Sequence, residues 1–300
     1  MSDEVLPRLQ ARARDQDVAR VRLTPGRRFW RVFRRNRAAV AALYALILTS
    51  AIGPAAVVLF AINPEAMSSD VLSPPSVQHP LGSDYLGRDV LGRVLHGTNT
   101  SLLVGAAVAL TATAIGLGLG TMAGYRGGWL EHVIMRLADA LLIIPTFFLV
   151  LSIAFVFGGS LANVVVLLGI TMWPPVARIV RAEVLSLREE AFVVSARALG
   201  ASDTKIMFRE ILPSTLPPGI AMIALLGSAG ILTEASLSFL GVGDPNVVSL
   251  GQMLTNGLEY TTTAWWVPSF PGAAIFALVL LMNVLGDGLN VALSPRMWGR

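Results

Sequence analysis

Residues 97–125 read GTNTSLLVGAAVALTATAIGLGLGTMAGY, a run without one acidic or basic side chain. A helix rises 1.5 Å per residue, so about 20 apolar residues cross the roughly 30 Å hydrocarbon core of a bilayer. This segment is long enough to do so. Comparable charge-free runs occupy 38–62, 140–169 with a continuation to 177, 212–233 and 260–286. The whole chain agrees, being 54% hydrophobic and 14% charged, where soluble domains run at about 25% charged. Its mean hydropathy is +0.66.

The 140–177 run is too long for one helix and contains the breaker cluster Gly158-Gly159-Ser160. Divided there, it yields 137–157 and 160–177. The expected architecture is therefore an all-α integral membrane protein with six transmembrane helices. The spans fall at about 38–62, 97–125, 137–157, 160–177, 212–240 and 267–291, in a transmembrane domain 38–300 that follows a basic leader, 1–37.

Orientation follows from the cations. With the N-terminus in the cytoplasm, 21 of the 23 basic residues lie inside and only Arg88 and Arg93 outside, which satisfies the positive-inside rule. Both termini are then cytoplasmic in a multi-pass protein of the cytoplasmic (inner) membrane. The leader is too long and polar for a cleavable signal and is expected to remain as an uncleaved anchor. Its charge suits anionic lipid, and no nucleic-acid partner is needed to explain it.

Several chemistries are excluded. There is no cysteine, so disulfides, thiolate metal sites and thiol catalysis are absent. His79, His96 and His132 match no ligand spacing, and no metal site is expected. The sole lysine, Lys205, follows Thr204 where a phosphate-binding loop requires Gly, so no ATP cradle exists. The glycines of 116–120 lie inside a span. Gly116, Gly120 and Gly124 recur every four residues and suit close helix packing.

The polar stretch 188–213, REEAFVVSARALGASDTKIMFREILP, interrupts the apolar runs. Within a loop placed at 179–214, residues 191–199 read as a short helix closed by Gly200 in the left-handed conformation. Ser202 is a fitting N-cap for a second helix, 203–212, with Asp203 in its first turn and Pro213 at its end. A short rigid helix across a membrane face is a lever that a soluble partner can push.

With Ser195-Ala196, Gly200 and Leu212-Pro213 so spaced, this stretch resembles the cytoplasmic "EAA" loop of ABC-importer permeases. HPLGSDYLGRDVLGRVLHG (79–97), RNRAAVAALYALIL (35–48), LSFLGVGDPNVVSLGQML (237–254) and the 265–296 block resemble C-type permeases of the dipeptide/oligopeptide/nickel importers. The resemblance covers most of 35–296. It implies the type I ABC importer permease fold, a second homologous permease, two cytoplasmic ATPases and an external solute-binding protein. This chain would bind no cofactor, ATP and Mg being bound by the ATPases. The cargo implied is a dipeptide, an oligopeptide or a related solute such as a nickel chelate.

The ATPase-coupling residues implied are Glu190, Ala191, Ser195, Ala196, Arg197, Ala198, Leu199, Gly200, Ala201, Ser202 and Asp203. Two positions depart from the family's pattern: its usual Glu is Val194 here, and the Ile of its I-x-L-P is Glu210.

Outside the membrane, 83–96 alternates Asp84, Arg88, Asp89 and Arg93 with apolar residues, a pattern suited to an amphipathic surface helix. That helix either braces the binding protein or caps the bundle. Gly243, in the 241–265 loop, is a second contact candidate. Three acids lie in or beside spans. Asp139 has Arg136 available at i−3. Glu234 faces the pathway or hydrogen-bonds a neighbouring helix. Asp287, in Gly286-Asp287-Gly288, suits a helix-ending turn.

Two rivals come from other classes. The Gly241–Asp244 string GVGD matches an intramembrane aspartyl protease motif, with Asp139 as the required second carboxylate. The two acids, however, fall at opposite faces. An ion-coupled secondary transporter would show inverted repeats and more buried charge than is found here.

Overall fold

The computed structural model describes residues 25–60 and 63–293. The leader before 25, residues 61–62 and the tail from 294, with Arg296 and Arg300, lie outside the described residues. Among those described, every element is helical apart from one bridge between Ser83 and Asp89.

The chain opens with α1 (Pro25–Arg35) and α2 (Arg37–Phe60), which meet at a bend of 96°. Asn36 causes the bend to hold: its Oδ1 accepts from the Ala39 amide at 3.1 Å and caps α2. After a folded 63–89 segment comes α3 (Val90–Arg126), 37 residues long. That is about 55 Å of helix, well beyond a bilayer core. Asp89 caps its start by accepting from the Gly92 amide at 2.7 Å, and Gly127, at φ +64°, ends it.

The next region is α4 (Gly128–Ile143), α5 (Thr146–Phe157), α6 (Leu161–Thr171) and α7 (Pro174–Leu187). Beyond it are α8 (Ala191–Ala198), α9 (Asp203–Ile206), a π-turn over Met207–Ile211, α10 (Leu212–Phe239), α11 (Leu250–Leu258) and α12 (Trp266–Leu293). Among the described residues, four helical stretches (Val90–Arg126, Leu161–Leu187, Asp203–Phe239 and Trp266–Leu293) are long and apolar enough to cross a membrane, or six if each of two bent pairs makes one span.

Helix α3 is the central post, flanked by α10 and α7 and touched also by α2, α6 and α12. Its glycine stripe explains the intimacy. A Cβ on Gly116, Gly120 or Gly124 would lie 2.5–2.8 Å from atoms of Val176, Ala177 or Val184 on α7. Only hydrogen there lets the two backbones approach. On the α10 side, Gly105 abuts Gly227 and Ile231 in the same way.

Four expectations need correction. The third span is not straight: α4 and α5 meet at 87°. Ile144 precedes Pro145 and is pushed to ψ 123°, out of the helical region. The fourth helix continues to Leu187, so the polar connection begins at 188 rather than 179. No break separates 203–212 from the fifth span. Pro213 has no N–H to give the Arg209 carbonyl, and the helix widens instead, Leu212 N–H bonding to Met207 O. The hydroxyls of Ser214 and Thr215 serve the carbonyls of Glu210 and Leu212, both at 2.9 Å. Lastly, Gly286-Asp287-Gly288 lies inside α12, where Gly286 faces Ala224 and Gly288 faces Ala39.

Candidate functional site

The 188–211 segment folds as short helices joined at Gly200, as its sequence describes. Helix α8 ends in a full Schellman motif: Ala201 N–H bonds to Ala196 O at 3.1 Å and Gly200 N–H to Arg197 O at 3.0 Å. Gly200 stands at φ +79°, the conformation that such a closure demands. Ser202 then caps α9, its Oγ accepting from the Lys205 amide.

One face of α8 is anchored. Val193 is fully buried, beside Ile206 and Ile211, in a cluster with Val176, Val180 and Val184 of α7. Ala196 and Ala201 pack against the same cluster. The rest of the helix is open: Phe192 and Val194 on its two flanks and Leu199 at its end are exposed apolar side chains, Leu199 to 89%. Val194, where the resembled pattern has an acid, thus adds to the exposed apolar surface.

Polar contacts fix the lever to the central post. The Tyr125 hydroxyl, at the end of α3, donates to Asp203 Oδ1 at 2.7 Å, and Arg188 Nη1 donates to Gly124 O at 3.4 Å. The Arg197 guanidinium is held above its usual range, first by the Tyr125 hydroxyl. Glu190 precedes α8 as its N-cap without a side-chain cap bond. Ala191, Ser195 and Ala198 lie along the helix. Sequence reasoning placed Gly124 only in the packing stripe and missed Tyr125, because 78 residues separate Tyr125 from Asp203.

Nearby, Asp139 pairs with Arg178 rather than Arg136. Helices α4 and α7 run side by side, and Arg181 likewise reaches Glu131, its Nε donating at 2.6 Å. These two ion pairs tie the elbow after Gly127 to α7.

The other candidates lie at the far end of α3. Residues 83–89 form a tight turn, not an amphipathic helix, and only from Val90 is the chain helical. The charges that suggested a surface helix point inwards. Asp84, Arg88 and Arg93 are 4%, 7% and 3% exposed within this subunit. Asp89 is committed to the Gly92 amide and to His79 Nδ1 at 3.2 Å. Gly243 sits over Ser238, with which any Cβ would collide.

Glu234 takes the hydrogen-bonded arrangement within this subunit. It is 2% exposed and accepts hydrogen bonds from Ser238 and Ser249 at 2.7 and 2.9 Å, tying α10 to the start of α11. The protease reading fails. Asp244 accepts the Leu161 amide at the start of α6, at 3.2 Å, while Asp139 is held by Arg178. No aspartate pair forms.

Comparisons with known proteins show the family. The family described as "Binding-protein-dependent transport system inner membrane component" matches residues 116–299, and "N-terminal TM domain of oligopeptide transport permease C" matches 24–75. A glutathione transport system permease protein, GsiD, of Pectobacterium atrosepticum is 40% identical over 91% of this chain and 92% of its own length. A dipeptide transport system permease protein, DppC, of Alkalihalophilus pseudofirmus is 36% identical over 92% and 91%. Among solved structures, an inward-facing MetNI methionine ABC transporter matches with TM-score 0.53 at 20% identity. It covers 67% of this chain and 96% of that one, a likeness of fold alone. The chain belongs to the binding-protein-dependent transport system inner membrane components, and it is a permease subunit of an ABC importer rather than an enzyme.

Proposed function

We propose that this chain is one of two homologous permease subunits of an importer for short peptides, or for a related small solute, in the cytoplasmic membrane. The segment 188–211 faces the cytoplasm, and 63–89 with 241–265 faces outwards, as the distribution of cations requires. Two partner ATPases bind ATP and Mg, and an external solute-binding protein delivers the cargo. The peptide class rests on the relatives that carry dipeptides and glutathione.

One observation carries the reading. Helix α8 is gripped along one face by Val193 and exposes apolar side chains on both flanks and at its end, so a partner enclosing Phe192, Val194 and Leu199 moves the helix bundle with it. Transmission runs through Tyr125 and Gly124 into α3, which spans the whole molecule.

The test is uptake into proteoliposomes holding the assembled importer, with the binding protein and labelled dipeptide outside and ATP inside. Uptake should require ATP and persist after ionophores collapse the ion gradients. Uptake that depends on an ion gradient without ATP would overturn the proposal.

A further inference from the structure

The end of α3 opposite the lever holds a polar cavity of about 400 Å³. Its walls come from the 63–89 segment, the first turn of α3, the 245–247 loop and α11. At its base lie two guanidiniums, and their pairing is unequal. Arg88 is fixed: its Nε donates to Asp84 Oδ2 at 2.7 Å and its guanidinium lies over the Tyr85 ring. Asp84 is saturated, accepting also from the amides of Leu86 and Arg88. Arg93 is only 3.8 Å from that carboxylate, through Nε.

The second counter-ion is Glu65. Its Oε1 accepts from Arg93 Nη1 at 2.7 Å and its Oε2 from Arg88 Nη1 at 3.1 Å, so one carboxylate bridges both cations. The arginine side chains are 3% and 9% exposed, but that of Glu65 is 52% exposed. Glu65 is carried on the short turn 63–66 by the Asn63 side chain, which accepts its amide at 3.0 Å. Two buried cations therefore share one buried anion and one anion at the water's edge. A buried guanidinium stripped of its partner is strongly destabilised. Glu65 thus leaves readily only when another carboxylate takes its place.

The rest of the wall suits a polar group attached to that incoming carboxylate. Asn246, Gln252 and Asn256 line the cavity, and among the described residues the side-chain amides of Gln252 and Asn256 have no hydrogen-bond partner. An incoming acidic side chain would use the arginines alone. A carboxylate joined to a peptide unit would use both, and the volume falls in the range of small-ligand sites, roughly 300–1,000 Å³.

We propose that this cavity is a binding site for the C-terminal carboxylate of a short peptide, with Glu65 as the resident carboxylate that the peptide displaces. The peptide class rests on the function proposed above; the exchange of carboxylates rests on the geometry. By that orientation the site opens outwards, where released cargo would first meet the permease.

The experiment uses the complete importer in lipid nanodiscs, without binding protein, and glycylglycine as the probe. Glu65→Gln removes the competing carboxylate, and Glu65→Asp keeps the charge but shortens its reach, so that a folded variant is available whichever tolerates purification better. Glycylglycine should bind Glu65→Gln about tenfold more tightly than the unaltered importer, since an intramolecular competitor is gone, and Glu65→Asp more tightly by a smaller factor, since its shorter carboxylate competes less. The dipeptide should also raise each variant's melting temperature, whereas glycylglycinamide, lacking the carboxylate, should do neither. Affinities within about twofold of each other in all forms would overturn the site. Equal binding of glycylglycinamide, or of a blocked peptide bearing only an internal Glu, would overturn the C-terminal assignment; the second result would point to a protein's acidic side chain. ATP-driven uptake of the same dipeptide, measured in parallel with binding protein, reads the import function separately, so that either can fail alone.

Discussion

Tyr125 and Asp203 join the last turn of the central helix to the far end of the lever, through a hydrogen bond of 2.7 Å across 78 residues of sequence. The 188–211 segment is otherwise held by apolar packing, by backbone caps and by the longer bond from Arg188 to Gly124 O. The Tyr125–Asp203 bond gives the segment a directional hold on α3, which is long enough to cross the membrane.

Removing it should uncouple rather than unfold. Tyr125→Phe keeps the ring and deletes one hydrogen bond at the surface, worth about 1 kcal/mol. Expression and assembly should be normal, while the solute moved per ATP hydrolysed falls several-fold. Unchanged stoichiometry in proteoliposomes would assign transmission to the Val193 packing instead.

Gly200 separates backbone strain from crowding. A Cβ there would meet nothing within 4 Å, so the cost of substitution lies in the φ of +79° alone. A β-branched residue is penalised by about 1–2 kcal/mol, whereas Asn tolerates the left-handed region. Gly200→Val should abolish most uptake and Gly200→Asn should retain it, both at normal membrane levels. Equal loss in both would mean that a partner, not the turn, demands glycine.

The sequence made some of this plain and hid the rest, for physical reasons. Spans announce themselves through apolar composition, and Gly200 through a capping pattern confined to a few residues. Bends do not register in hydropathy: Pro145 breaks a continuous apolar run, and only the constraint on Ile144 betrays it. Alternating charge at 84–93 has the same pattern whether a helix lies on a surface or a turn folds its ions inwards. Asp89, with an amide it could cap three residues later, was the local sign of the second case. Partners set by tertiary contact, such as Arg178 for Asp139 and Glu65 for Arg93, leave no trace in spacing.

Asp244 gives a dependence on pH. Its carboxyl is held below the usual range, first by the Asn246 amide and then by that of Leu161, and both bonds favour the charged form. A carboxyl with a lowered folded pKa adds stability that is complete above its unfolded pKa of about 3.9 and is lost as pH falls through the folded value. Acid should therefore loosen the joint between the 244–246 loop and the start of α6 only below about pH 4. Asp244→Ala should weaken that joint at neutral pH by about 1 kcal/mol and abolish the acid effect, as read by hydrogen exchange at Leu161.

The absence of native cysteine makes orientation directly measurable. Val77 is fully exposed on the 63–89 segment, and Leu199 is 89% exposed at the tip of α8. Neither side chain is buried in the subunit, so a cysteine at either site should leave the fold intact. Val77→Cys should react with an impermeant maleimide in intact cells. Leu199→Cys should react only after permeabilisation, and more slowly once the ATPases are assembled, because it lies on the face offered to them. Labelling of position 199 from outside would invert the topology, and would place the carboxylate cavity on the cytoplasmic side, where a site for arriving cargo has no use.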